Sequence, residues 1–229
     1  MNLYNKNKLD RLKLFFSGAE NIDHNYSQAY QDMFVLSMLN GKTNGIYVEI
    51  GANDAISINN TYLLESKFDW SGISFDADKS SLESYQKNKR KNNFVLGNAL
   101  NLNYDEIFKQ NGFGNQIDYL QIDIEPNTQT LECLKKMPLD KYRFSTITYE
   151  TDYYDKTQGC DVAERVRKES REIFLHYGYE LIVGNIANLS KDEVFEDWYV
   201  DPLVIDKEII KLFKESSEYN DTAESYILK

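Results

Sequence analysis

From Gly45 the chain reads G-I-Y-V-E-I-G-A-N-D-A. A segment of helical spacing, Ser57 to Phe68, follows, and then G-I-S-F-D-A-D from Gly72 to Asp78. Ile46 to Ile50 is a run of β-branched and aromatic residues, which predicts a buried strand. Gly51 ends that strand in a polar turn. Ile73 to Phe75 predicts a second strand with Asp76 at its tip. Strand, tight turn, helix, strand is the opening unit of an open α/β sheet. In that unit a carboxylate at the second strand's end accepts hydrogen bonds from both hydroxyls of a ribose.

The turn narrows the choice of nucleoside. A dinucleotide site needs G-x-G-x-x-G so that the backbone can approach a pyrophosphate. Here Gly51 is the turn's one glycine, and Glu49 and Asp54 flank it. Two carboxylates repel phosphate and suit a ligand with a cationic end. S-adenosylmethionine fits, with its sulfonium, ammonium and ribose diol. An NAD-dependent sugar-nucleotide enzyme is the weaker alternative. An acidic strand end with no ligand at all satisfies the same pattern.

At 229 residues the chain is expected to form one domain: an N-terminal helix and linker over 1–26, a core over 27–202, and a closing helix and tail over 203–229. A net charge of −11 with no basic block argues against nucleic acid and anionic membranes as partners. Cys133 and Cys160 are too few for a disulfide framework. No secretory signal or membrane-spanning run is evident, so a cytoplasmic setting is expected.

Residues 3–16 suit an amphipathic helix, and Gln28 to Leu39 a second one whose start places Gln28, Gln31 and Asp32 near the strand ends. Ser80 to Arg90 reads as a polar helix, Phe94 to Leu96 as a third strand and Tyr104 to Phe108 as a short helix. Asn98, beyond the third strand, suits the edge of an adenine. Ile117 to Ile124 is the clearest buried strand, with Asp123 and Glu125 at or past its carboxyl end, where ligands of open α/β sheets bind. Pro126 then turns the chain into a helix from Thr128 to Met137. Phe144 to Tyr149 predicts a fifth strand, ending in Glu150-Thr151-Asp152. A helix from Asp161 to Tyr177 follows, then a strand from Tyr179 to Val183 and a loop from Asn185 to Lys191. Val194 to Val200 is expected to return antiparallel, and Ile205 to Phe213 to form a closing helix. The last dozen residues are expected to fray.

With these motifs in place, the sequence resembles the FkbM-type methyltransferases, a family of class I S-adenosylmethionine-dependent enzymes. The resemblance rests on S-Q-A-Y-Q-D (Ser27 to Asp32), G-I-Y-V-E-I-G-A-N-D (Gly45 to Asp54), N-T-Y-L-L-E (Asn60 to Glu65), W-S-G-I-S-F-D-A-D (Trp70 to Asp78) and D-Y-L-Q-I-D-I-E (Asp118 to Glu125). I-T-Y-E-T-D (Ile147 to Asp152) and F-E-D-W-Y-V (Phe195 to Val200) add to it. It implies a Rossmann-like, mostly parallel seven-stranded sheet with an antiparallel last strand and helices on both faces. It also implies transfer of a methyl group to a hydroxyl of a sugar, glycan or secondary metabolite. The donor site is expected to comprise Gln31, Glu49, Gly51, Ala52, Asn53, Asp54, Asn60, Asp76, Ala77, Asn98, Ala99 and Asp123. Two positions depart from the family's pattern. Pro126 replaces the glycine of D-x-E-G, a change that would suit a donor-binding module without turnover, and Asn98 stands where the family commonly has Asp.

Methyl transfer to a hydroxyl needs alignment and a proton acceptor. Asp123, Glu125, Glu150 and Asp152 are the candidate bases, with Asp123 expected nearest the methyl and Glu125 or Glu150 taking the proton. A divalent ion, Mg or Mn, is compatible with these carboxylates, but the spacing does not demand one. His24, Tyr153, Asp197 and Trp198 are the expected acceptor contacts, Trp198 as a platform for a sugar ring.

Overall fold

The computed structural model describes residues 4–214 and 221–229. Strands β1 (Ile46–Ile50), β2 (Ser71–Asp76), β3 (Asn93–Leu96), β4 (Gln116–Ile122), β5 (Arg143–Glu150), β6 (Glu180–Ala187), β7 (Val194–Val200) and β8 (Asp221–Thr222) form one sheet. Their order is β3-β2-β1-β4-β5-β7-β6-β8. Only β7 runs antiparallel to its neighbours among these strands. The first seven strands match the expected sheet, and β8 extends it past β6.

The helices are α1 (Gln31–Met38), α2 (Tyr62–Phe68), α3 (Lys79–Lys87), α4 (Tyr104–Gln110), α5 (Asn127–Lys136), α6 (Cys160–His176), α7 (Lys207–Lys214) and α8 (Ala223–Ile227). Two apolar cores carry the sheet. One joins Phe34, Trp198, Phe213 and Tyr226 with the N-terminal segment. The other joins Phe108, Ile117, Phe144 and Phe174. The sheet is buried on both faces, so even polar strand residues such as Ser74, Gln121 and Thr148 are enclosed.

Several local expectations change. Residues 3–16 hold no α-helix among those described: Asn5 caps a 3₁₀ turn over Lys6–Arg11, and Leu12 then leaves in an extended conformation. Tyr30 sits at φ 61°, so α1 starts at Gln31 rather than Gln28. The carboxylate of Asp54 accepts from the amides of Ile56 and Ser57 and holds a turn there, so α2 starts at Tyr62. β6 runs on to Ala187 through the expected loop.

The C-terminal segment departs most. Residues 215–220 lie outside the described residues, but 221–229 pack rather than fray: Ala223, Tyr226, Ile227 and Leu228 are buried. Leu12 and Leu228 form an antiparallel bridge. Lys13 N donates to the Ile227 carbonyl at 2.9 Å, Lys229 N donates to the Arg11 carbonyl at 2.6 Å, and Lys8 pairs with Glu224 at 3.0 Å. No helix among the described residues is long and apolar enough to cross a membrane.

Candidate functional site

Strand order reverses between β1 and β4, and the ligand crevice of an open α/β sheet lies at the carboxyl ends of the strands beside such a switch. Gly51 makes the closest approach there. Its φ is +83°, and a Cβ on it would stand 1.6 Å from the Asp123 carbonyl oxygen. The absence of a side chain thus lets β1 and β4 end side by side, with Asp123 N donating to the Ile50 carbonyl at 2.9 Å. The turn's one glycine thus clears space for β4.

Two connected cavities open at this edge. The larger, about 660 Å³, is bounded by Phe75 and Asp76 of β2 with Ala77 and Asp78 just after it, by Gly97, Asn98 and Ala99 after β3, and by Asp123, Ile124 and Glu125 after β4. Glu150 and Tyr154 close its far side. The smaller, about 50 Å³, lies inward between Gln31, Glu49, Ala52, Asn60, Phe195 and Glu196. Gln28, Gly51, Asn53, Asp123 and Glu150 border both. Neither cavity is lined by a Lys, Arg or His side chain.

Asp76 ends β2 with both carboxylate oxygens held by the backbone. One carboxylate oxygen accepts from Asn53 N at 2.8 Å and the other from Asp78 N at 2.8 Å. Two backbone amides therefore fix its orientation while it borders the larger cavity. Asn98 also borders it, and its side-chain oxygen accepts from Leu100 N at 2.8 Å, which fixes the side chain's orientation.

Glu49 is a structural residue on the inner wall. Its carboxylate accepts from Ser74 Oγ at 2.5 Å, Tyr85 Oη at 2.8 Å and Thr61 Oγ1 at 3.0 Å. Burial pushes its pKa up, against the opposing charge of Arg90. Those partners, rather than a ligand, satisfy it. Asp54 lines neither cavity: besides its two amides it accepts from Ser84 Oγ at 2.9 Å, and its role is to shape the loop. Asn60 differs from both, because its side-chain oxygen is buried at the inner cavity without a hydrogen-bond partner. An unpartnered buried acceptor costs stability unless something fills it.

Four carboxyl groups gather behind the switch point. Glu150 and Asp123 face each other closely enough that a proton held between them relieves their mutual repulsion. Burial, with Asp123 beside it, raises Glu150 well above the usual range; Asp123 is also raised by burial, opposed by the bond from Glu150. Asp152 bonds to Glu150 from behind and is pushed up to about 7, by burial first and by Asp123 next. Glu196 on β7 is pushed up to about 8 by burial, against bonds from Gln31 and Trp198. Neutral Glu150 donating to ionised Asp123 is the arrangement these shifts describe. Asp123's proton-sharing partner is thus Glu150; Glu125 is exposed past the strand end, at a cis Glu125–Pro126 bond.

The expected acceptor contacts are corrected most. Trp198 is fully buried and stacks on Phe34 at 4.5 Å, while its indole N–H donates to Glu196; it is core, not a sugar platform. Asp197 is fully buried in a two-pronged bond with Arg171 (2.8 Å each) and accepts from Asn185 N at 2.9 Å. His24 is exposed against Tyr26 and borders neither cavity. Tyr153 lies under Lys156 and Arg167, and it is Tyr154 that reaches the crevice. Its hydroxyl is pushed up to about 12 by burial and the nearby carboxylates.

Phe195, Glu196 and Tyr154 were not singled out from the sequence. The signal lay in strand direction: β7 is antiparallel, so its first residues, not its middle, reach the ligand edge, and Glu196 lies opposite Glu150. Among the described residues no group of three or more His, Cys, Asp or Glu side chains is placed to hold a metal ion.

No protein-family model matches the sequence, and no curated protein matches it. Solved structures do match the fold. A putative rRNA methylase from Clostridium thermocellum aligns with a TM-score of 0.54 at 10% identity, over 78% of this chain and 97% of its own. A putative caffeoyl-CoA O-methyltransferase from Staphylococcus aureus aligns at 0.52 and 12% identity, over 75% and 82%. A DUF574-family protein from Streptomyces avermitilis aligns at 0.50 and 13% identity, over 76% and 81%. With its strand order, its antiparallel β7 and these likenesses, the chain has the Rossmann-like fold of the class I S-adenosylmethionine-dependent methyltransferases.

Proposed function

We propose that this protein is an S-adenosylmethionine-dependent methyltransferase that methylates a hydroxyl group. The observation that carries the reading is the lining of the crevice: Asp76 held by two amides at the tip of β2, facing about 660 Å³ of space with carboxylates around it and no cationic side chain. Such a wall suits a ligand with a diol and positive charge, and it disfavours the pyrophosphate of NAD. The orphaned oxygen of Asn60 supports the same donor, because an ammonium group is the partner it lacks.

When bound, the donor supplies an activated methyl on a sulfonium. The chain's own residues do the rest. Asp76 accepts from the ribose hydroxyls. Asn60 and the inner cavity hold the amino-acid end. Asp123, kept ionised by the proton on Glu150, takes the proton of the acceptor hydroxyl. The O–CH₃ bond forms as the S–CH₃ bond breaks, so the products are a methyl ether, S-adenosylhomocysteine and a carboxylic acid on Asp123. Asp152 lies behind Glu150 and drains that proton toward solvent at neutral pH.

Calorimetric titration with S-adenosylhomocysteine and with NAD tests the reading. Binding of the first alone is expected, and Asp76→Ala should weaken it at least thirtyfold, about 2 kcal/mol, with the fold intact. Preferential binding of NAD, or an unchanged affinity in Asp76→Ala, would overturn it.

A further inference from the structure

A third cavity, of about 260 Å³, adjoins the donor crevice, and nothing in the donor reading uses it. Its walls are Ala29 and Tyr30 before α1, Ala187 and Leu189 at the end of β6, Phe195 on β7 and Ala223 at the start of α8. Gln28 borders this cavity, the inner cavity and the crevice, and Phe195 borders this cavity and the inner one. Gln28 thus stands between the third cavity and the two spaces that Asp123 and Glu150 border.

The wall chemistry is one-sided. Six of the lining residues are apolar or aromatic, and the polar ones are Gln28, Asn188, Thr222 and Glu224, the last already paired with Lys8 at 3.0 Å. A cavity of this size is smaller than the roughly 300–1,000 Å³ that holds a drug-sized ligand. The acidic lining of the neighbouring cavities excludes an anionic group at the junction.

We infer that this cavity is the acceptor subsite, and that it takes the body of a small, neutral, mainly apolar molecule whose hydroxyl points past Gln28 and Phe195 toward Asp123. The inference rests on the methyl-transfer reading and deepens it. It also gives β8 and α8 a task, since Thr222 and Ala223 close the cavity from the C-terminal side. A carbohydrate, ringed by hydroxyls, would leave most of them unpaired against these walls.

The test uses the full chain with 4-fluorophenol and 4-deoxy-4-fluoroglucose as probes, read by fluorine NMR in the presence of S-adenosylhomocysteine. Fluorophenol is expected to bind, and fluoroglucose to bind at least tenfold more weakly. Ala223→Phe, which fills the cavity, and Leu189→Asp, which puts charge at its exposed rim, should each weaken fluorophenol at least tenfold. Affinity for S-adenosylhomocysteine should stay within threefold. If Ala223→Phe does not fold, Leu189→Asp decides, because Leu189 is 61% exposed and its loss leaves the core untouched. Absence of fluorophenol binding, indifference of that binding to the rim variant, or preference for fluoroglucose would each overturn the assignment. Failure of S-adenosylhomocysteine alone to bind, with fluorophenol still sensitive to both variants, would instead remove the donor reading and leave the cavity standing.

Discussion

Gln31 Nε2 donates to Glu196 Oε2 at 2.7 Å, tying the first residue of α1 to β7 across the inner cavity. The other oxygen of Glu196 accepts from Trp198, so both oxygens are occupied by donors. Glu196→Ala leaves both donors without that partner. It should lower unfolding free energy by about 1–3 kcal/mol in urea titrations near pH 7, despite removing a titratable group. Unchanged stability would show that the pair does not hold α1 in place.

Asp152 predicts how stability depends on pH. Its folded pKa, about 7, lies above the ordinary aspartate value of 3.8. The folded chain therefore holds more protons than the unfolded one between those values, and stability falls as pH rises through that window. Asp152→Asn removes the titration and tolerates the residue's φ of 42°, since Asn adopts left-handed backbone readily. The variant should be more stable than the parent at pH 8, by roughly 1–3 kcal/mol, and nearly equal to it at pH 4. Parallel stability curves for the two proteins would contradict the assignment.

Asn60 separates binding from folding. Its buried oxygen has no partner, so Asn60→Ala should not lower the melting temperature. The same variant should weaken S-adenosylhomocysteine at least tenfold by calorimetry. A large loss of stability with full donor affinity would mark Asn60 as a structural residue.

The Glu150–Asp123 pair sets the rate profile. Asp123→Asn should cut turnover at least a hundredfold while donor affinity changes less than tenfold. Glu150→Gln keeps a neutral hydrogen-bond donor beside Asp123 and should retain turnover within about tenfold near neutral pH. In the parent, kcat/KM should rise with pH through a midpoint above the ordinary aspartate range, because Asp123 is raised by burial. Turnover that survives in Asp123→Asn would move the proton's destination elsewhere.

The pieces of the proposed donor half are local in the sequence. Gly51 and Asp76 belong to one strand–turn–helix–strand unit, and Asp123 directly follows the central strand β4. The proposed acceptor half is assembled from distant pieces: Gln28, Leu189, Phe195 and Ala223 meet only when the sheet is complete, and of these Ala223 carried no signal in the sequence. Trp198 and Asp197 misled for a related reason. A strand buried on both faces gives no alternation to tell an inward polar residue from a solvent-facing one, and only the bond to Arg171 reveals that Asp197 points into the protein. The expected N-terminal helix failed because Leu12 bridges to Leu228 instead of continuing a helical stripe.

The bond from Lys8 to Glu224 spans 216 positions of sequence. Contacts of that separation reward the chain only after nearly everything between them is in place, so they belong to the late, slow part of folding. By the same logic they are the part most readily released without disturbing the sheet. The amides of Lys13 and Lys229, which close this clasp, should exchange with deuterium far sooner than those of β1 or β4. The wall made by Thr222 and Ala223 would then come and go on a timescale of its own, and with it the rate at which one molecule replaces another beside Phe195.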